Sequence, residues 1–335
     1  MRKTFIPALL LGFVVVSTAV SPAAEATQAK ARKTHKNAPA AKSAKAAKPP
    51  TAVNKPKVES LNGHASHLRR VSSVPADFGE AQRLAVQSSA ALVLDQGNGE
   101  VIYQKNASAV VPIASITKLM TAMVVLDSQP NLSAPVTIGE EDIDTLKGSR
   151  SRLSVGTVLT REHALLLALM SSENRAAHTL ARHYPGGLPS FVEAMNRKAR
   201  SLGMMDTHFQ DPTGLTSNNV STANDLSKMV AAAHTYPLIR EFSTTSGAMV
   251  ETNGRMLEYH NTNALVKSAT WDIGLSKTGY IQEAGKCLVM QARVAERPVV
   301  IVLLDSAGKM TRIGDANRIK RWMESASVGR RTSRA

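Results

Sequence analysis

The chain has one cysteine, Cys287, in 335 residues, and a lone thiol closes no internal disulfide. Its setting, CLVMQARV, reads as a strand, which makes Cys287 a small buried hydrophobe rather than a catalytic thiol. Aromatic side chains are only 4% of the sequence, too few for the stacking platforms that hold single-stranded nucleic acid. Acidic residues are also scarce, 26 against 41 lysines and arginines, for a net charge of +15. The excess sits at the ends. Residues 1–60 hold eleven basic and two acidic side chains, three arginines follow residue 327, and residues 61–327 carry only +3. Basic arms of this kind are solvated and attract polyanions loosely, so no nucleic-acid partner is expected.

Long apolar runs are missing everywhere except at the start. There, MRK, the uncharged stretch TFIPALLLGFVVVSTAV and the small-residue site AEA (Ala24–Ala26) form the three parts of an export signal. A retained membrane anchor is the alternative, but the run is shorter than the roughly 20 residues that a spanning helix needs. Residues 1–26 are therefore read as a cleaved signal peptide and the protein as exported. Residues 27–78 are Ala/Lys/Pro-rich with few large apolar side chains. They cannot bury enough surface to offset the entropy of ordering and are read as a disordered basic linker. The folded domain is expected over 79–327, with a basic tail over 328–335. No internal repeat is visible.

What is present is 43% hydrophobic residues, enough for a sizeable core. SAALVLDQGNGEVIYQKN has two apolar runs around a glycine-containing turn, a hairpin signal. ITKLMTAMVVLDS carries apolar residues at helical spacing. TREHALLLALMSS is a second helix with Thr160 as N-cap. SENRAAHTLARHY starts a third, LPSFVEAMNRKARSLGM is a fourth closed by Gly203, and TANDLSKMVAAAHTY is a fifth capped by Thr222. Then IGLSKTGY, KCLVMQARV and RPVVIVLLDS read as strands joined by EAGK and AERP, and TRIGDANRIKRWMESA closes the chain as an amphipathic helix. The first hairpin and the last strands are expected to share one antiparallel sheet, giving an α/β domain with a helical insertion.

ASITKLM places a hydroxyl, Ser115, and an ammonium, Lys118, three apart in a run that otherwise reads as core. A serine hydroxyl is a poor nucleophile until a neighbour takes its proton. A lysine can do so when burial and nearby positive charge lower its pKa. Three residues apart on a helix, the two side chains share a face, and a helix start favours developing negative charge. The bland alternative is a serine N-cap beside a solvated lysine. Ser-x-x-Lys is a weak pattern, since SAGK (Ser306–Lys309) also fits, but that copy leaves a strand for a turn. Ser172 and Asn174 lie two apart in SSEN, between two predicted helices, where Ser172 is otherwise a helix cap. Lys277, Thr278 and Gly279 form KTG, once, on a predicted strand. There lysine and threonine can hold a carboxylate and glycine lets another chain approach.

The three motifs in this order are far more specific than any one, and they form the set of the serine penicillin-recognising enzymes. From about residue 85 to 325 the chain resembles low-molecular-mass penicillin-binding proteins of the D-alanyl-D-alanine endopeptidase type. IASITKLMTA, LLLALMSSENRAA, DPTGL, STANDL and SKTGYIQEAGKCLVM carry the likeness. The resemblance implies a β-lactamase/DD-peptidase-like fold, an antiparallel sheet flanked by helices with an inserted helical subdomain. It implies Ser115 as acyl nucleophile, Lys118 as its base, and Ser172 and Asn174 as proton relay and substrate amide contact. Lys277 and Thr278 would hold substrate, and the backbone N–H groups of Ser115 and Tyr280 would form an oxyanion hole. Arg312 is a weaker candidate for a carboxylate contact, its alternative being a solvated arginine at a helix start. No metal or cofactor is implied. The partners implied are peptidoglycan peptide stems and, as covalent inhibitors, β-lactams. For the basic arm, loose contact with an anionic wall or membrane surface is expected, and the location is the periplasm.

Three rival functions remain. A β-lactamase would need a carboxylate to drive water onto the acyl-enzyme, usually a glutamate between the second and third motifs. No glutamate lies between Glu193 and Glu241, leaving Asp206 or Asp211 as substitutes. A carboxypeptidase is nearer, but larger relatives of that kind carry a second domain and an amphipathic anchor after KTG, whereas this sequence ends on the polar SVGRRTSRA. The third is a catalytically dead wall-binding module.

Overall fold

In the computed structural model, the residues described are 84–332 together with the strand pair Ser72–Ser73, with side chains described over 84–327. The proposed signal peptide and nearly all of the proposed linker lie outside them. The first hairpin forms as expected, β1 (Ala90–Asp95) and β2 (Val101–Lys105). The late strands are β3 (Asp272–Ile281), β4 (Gly285–Val294) and β5 (Arg297–Ser306). All five join one antiparallel sheet in the order β2-β1-β5-β4-β3, and Ser72–Ser73 adds a short pairing on the outer edge of β2. That pairing falls inside the segment read as a linker.

Both faces of the sheet are buried, which explains the unbroken apolar run VVIVLL in β5. Successive side chains point to opposite faces. Val300, Val302 and Leu304 enter the larger core, shared with the helices, while Val299, Ile301 and Leu303 enter a second core. The second core is closed by α7 (Lys309–Thr332) through Ala316, Ile319 and Trp322. The helix continues past residue 327, where a tail was expected. Its Asp315 is fully buried and ties the start of the domain to its end. The carboxylate accepts Ser88 N at 2.7 Å, Ser88 Oγ at 2.6 Å and Gln87 N at 2.9 Å, and pairs with Arg318.

Between β2 and β3 lie the helices: α1 (Lys118–Asp127), α2 (Arg161–Met170), α3 (Asn174–Arg182), α4 (Gly187–Ser201), α5 (Ala223–Ala233) and α6 (Pro237–Thr244). The expected caps are in place. Thr160 Oγ1 accepts His163 N at 3.1 Å, and Thr222 Oγ1 accepts Asp225 N at 3.1 Å. Gly203, at φ +71°, closes α4 with the paired bonds Gly203 N to Arg200 O and Met204 N to Ala199 O. Helix α6 and the hairpin Gly247–Thr252/Arg255–His260 were not foreseen. The hairpin turns on Asn253-Gly254, both at positive φ, the Asn-Gly signal of a two-residue turn.

Candidate active site

Ser115 lies in a 3-10 turn, Ala114–Thr117, immediately before α1. At three residues per turn, positions i and i+3 eclipse, so Lys118 stands directly over Ser115. Lys118 Nζ is 2.8 Å from Ser115 Oγ, 2.7 Å from Asn174 Oδ1 and 2.8 Å from the Thr213 carbonyl. Lys118 is 1% exposed, which discards the solvated alternative. A neutral amine has two N–H donors and one lone pair. Asn174 Oδ1 and the Thr213 carbonyl can only accept, so they take the two donors, and the lone pair is left for the Ser115 hydroxyl.

Burial lowers the Lys118 pKa to about 7, against the charges of Asp211 and Glu173, which raise it. Positive charge crowds the site from Lys277. Burial, then the charges of Lys118 and Arg312, push Lys277 well below the ordinary lysine value.

Ser172 sits between α2 and α3 at φ +63°, a conformation costly for a non-glycine residue and found where function fixes the backbone. It caps nothing: its Oγ accepts Lys277 Nζ at 2.9 Å. Asn174 opens α3, and its Nδ2 donates to Ser149 Oγ at 2.9 Å. Lys277, 1% exposed, also reaches the Thr278 carbonyl at 3.1 Å, and Thr278 Oγ1 donates to Thr262 Oγ1 at 2.7 Å. Gly279 lies against the 3-10 turn, bringing the backbone before Tyr280 to Ser115. A Cβ there would stand 3.1 Å from Ser115 N. Tyr280 itself is exposed.

Arg312 is not the solvated arginine of the alternative. It is 5% exposed, and its guanidinium donates to the carbonyls of Gly279 at 3.2 Å and Cys287 at 2.9 Å. These residues line a pocket of about 420 Å³, which takes in Ser115, Ser172, Asn174, Thr278 and Arg312. Seven of the nine residues singled out from the sequence line this pocket, and the two buried lysines lie behind its wall, Lys118 bonded to Ser115 and Asn174 and Lys277 to Ser172.

Sequence reasoning used DPTGL only as part of the likeness and, through Asp211, as a possible source of a water-activating carboxylate. Asp211 Oδ1 accepts Thr213 N and Thr213 Oγ1, both at 2.5 Å, and Gly214 N at 2.7 Å, while Oδ2 accepts Thr216 N. That loop delivers the Thr213 carbonyl to Lys118 and sets Gly214, at φ +81°, against Ala114, where any Cβ would overlap the Ala114 carbonyl. Asp211 is thus spent on the loop, and Asp206 is exposed and does not line the pocket. Neither is placed as a water-activating base. Ser149, Asn261, Thr262, Lys286 and Lys309 were also missed, and no local pattern marks them.

The second Ser-x-x-Lys needs a correction. It does lead into a helix, α7, but Ser306 is fully buried with its Oγ 2.6 Å from Ser88 Oγ, and Lys309 starts the helix on the pocket wall. Cys287 is buried as expected, and burial pushes its thiol up to about 11.

The D-alanyl-D-alanine carboxypeptidase family matches residues 77–308, and the chain belongs to it: it is a serine-type D-Ala-D-Ala peptidase. It is 48% identical to a Pseudomonas aeruginosa protein named D-alanyl-D-alanine endopeptidase, over 77% of this chain and 84% of that one. An Escherichia coli protein of the same name is 45% identical, over 74% of this chain and 81% of that one. Among solved structures, the Streptomyces K15 DD-transpeptidase superposes with a TM-score of 0.68 at 30% identity, covering 73% of this chain and 99% of that one. The expected fold class holds. No helix among the described residues is long and apolar enough to cross a membrane.

Proposed function

We propose that the protein is a periplasmic serine DD-endopeptidase that hydrolyses D-alanyl-diaminopimelate cross-bridges of peptidoglycan through an acyl-enzyme on Ser115. The observation that carries the chemistry is the buried Lys118 amine, 2.8 Å from Ser115 Oγ and bonded to the carbonyl oxygens of Asn174 and Thr213, which leaves its lone pair for Ser115 when the amine is neutral. Lys118 takes the hydroxyl proton as Ser115 Oγ bonds to the D-alanyl carbonyl carbon. The oxyanion is received by the backbone N–H groups of Ser115 and Tyr280. The C–N bond breaks, and the proton reaches the leaving amine through Ser172, held at Lys277 Nζ. Water then attacks the ester, with Lys118 again as base. Asn174 holds the donor-side amide; Lys277, Thr278 and Arg312 hold the carboxylate beside the leaving nitrogen. β-Lactams acylate the same serine.

Specificity for cross-bridges is supported by the relatives named as endopeptidases. The export signal over 1–26 supports the location, and the basic segment 27–78 serves as a tether to anionic wall or membrane polymers. The test is digestion of purified cross-linked sacculi. Dimeric muropeptides fall and monomers rise, and Ser115→Ala is inactive. Persisting dimers with pentapeptides trimmed to tetrapeptides would make the enzyme a carboxypeptidase.

A further inference from the structure

Three cations crowd one wall of the pocket with no carboxylate among them. Lys286 is the cross-strand partner of Tyr280, so it shares the sheet face of Thr278 and Tyr280. Its Nζ lies 2.9 Å from the centre of the Tyr280 ring. Lys309 and Arg312 come from the first turn of α7, which holds no acidic residue. The helix dipole disfavours cations there and favours anions. Lys286 and Lys309 have no ion-pair partner among the described residues. Arg312 is 5% exposed, and its Nε is buried without a hydrogen-bond partner. Burial, then the charges of Arg312 and Lys309, hold Lys286 below the usual lysine range. This mutual repulsion would be relieved by a bound anion.

All three cations line the pocket that holds Ser115, Ser172 and Thr278. Ser172 and Lys277 mark the leaving-group side in the mechanism above. A single D-alanine leaves with one carboxylate, which Lys277, Thr278 and Arg312 already match. Lys286 and Lys309 are then in excess for a small leaving group, but not for a peptide stem that has a terminal carboxylate of its own.

We infer that Lys286 and Lys309 form an anion subsite on the leaving-group side, which binds a second carboxylate, that of the acceptor peptide stem. The inference rests on the cross-bridge reading and gives it a specificity determinant. The test compares two synthetic cross-linked muropeptide dimers, one with a free carboxylate at the end of the acceptor stem and one with that group as a primary amide. Each rate is divided by the enzyme titrated with penicillin, which counts only folded, acylatable protein. The wild-type enzyme prefers the acid in kcat/KM by about tenfold, the scale of a charged hydrogen bond. The Lys286→Gln/Lys309→Gln double variant loses the preference and cuts both dimers alike. A variant that keeps the preference, or a wild type that shows none, overturns the subsite. A wild type that takes penicillin but cuts neither dimer overturns the cross-bridge reading, and the subsite falls with it.

Discussion

Gly279 and Ser115 are packed with no room for a side chain between them. A Cβ on Gly279 would stand 2.9 Å from the Ile113 carbonyl oxygen and 3.1 Å from Ser115 N, both backbone atoms. The third motif thus ends in glycine because the edge strand must touch the 3-10 turn that holds Ser115. Gly279→Ala pushes the two apart, and displacements near 1 Å cost about 10²-fold in rate. Penicillin acylation of Gly279→Ala should fall by that order while its cooperative thermal melt persists. Acylation at the wild-type rate would mean that the contact positions nothing.

The Lys118 pKa of about 7 makes acylation pH-dependent in the neutral range. With the neutral amine as base in the proposed mechanism, the second-order rate of penicillin acylation should rise with pH, reach half its maximum near 7 and level above it. In Lys118→Arg the guanidinium does not lose its proton, and the rise near pH 7 should vanish together with about 10²–10⁴-fold of the rate. The linkage to stability has the matching sign. The folded pKa lies below that of the unfolded chain, about 10.4. Between the two values the unfolded state binds more protons, so this residue's contribution to stability rises with pH across that window.

Asp211 links the loop to Lys118. Its charge raises the Lys118 pKa, and its Oδ1 organises the turn that offers the Thr213 carbonyl. Asp211→Asn should lower the rate and also move the acylation midpoint below the wild-type value. A loss of rate with an unmoved midpoint would restrict Asp211 to a structural role.

Much of this site was readable because its motifs are local. Ser115 and Lys118 share a turn, Ser172 and Asn174 flank one helix start, and Lys277 to Gly279 are contiguous. The helix caps at Thr160 and Thr222 were legible for the same reason. What could not be read depends on distant segments meeting. Ser149 joins Asn174 across a loop, and Thr262 joins Thr278 across a strand. Lys286 and Lys309 reach the pocket only through strand register and helix placement. The hairpin at Asn253-Gly254 is different, for its signal was local and was overlooked. The SAGK copy shows the converse, a matching pattern whose serine the fold buries.

Asp142 joins the loop before Ser149 to α3. Its side chain is fully buried between the loop that leads to Ser149 and the helix that begins at Asn174. It accepts Gly139 N at 2.7 Å, Thr179 Oγ1 at 2.6 Å, His178 Nδ1 at 2.7 Å and Arg182 at 3.0 Å. Burial alone would raise its pKa, but the bonds from His178, Arg182, Thr179 and Gly139 outweigh that and hold the carboxyl below its usual range. A depressed folded pKa gives stability that is complete above the unfolded value, about 3.9, and is lost as pH falls through the folded one. Asp142→Asn leaves Arg182 without its buried partner and should cost about 3 kcal/mol at neutral pH. Urea unfolding across pH 7 to 2 measures this: the gap between wild type and variant should stay constant down to about pH 4 and then close. A gap that persists undiminished at low pH would show that the carboxylate's charge is not what joins the loop to α3.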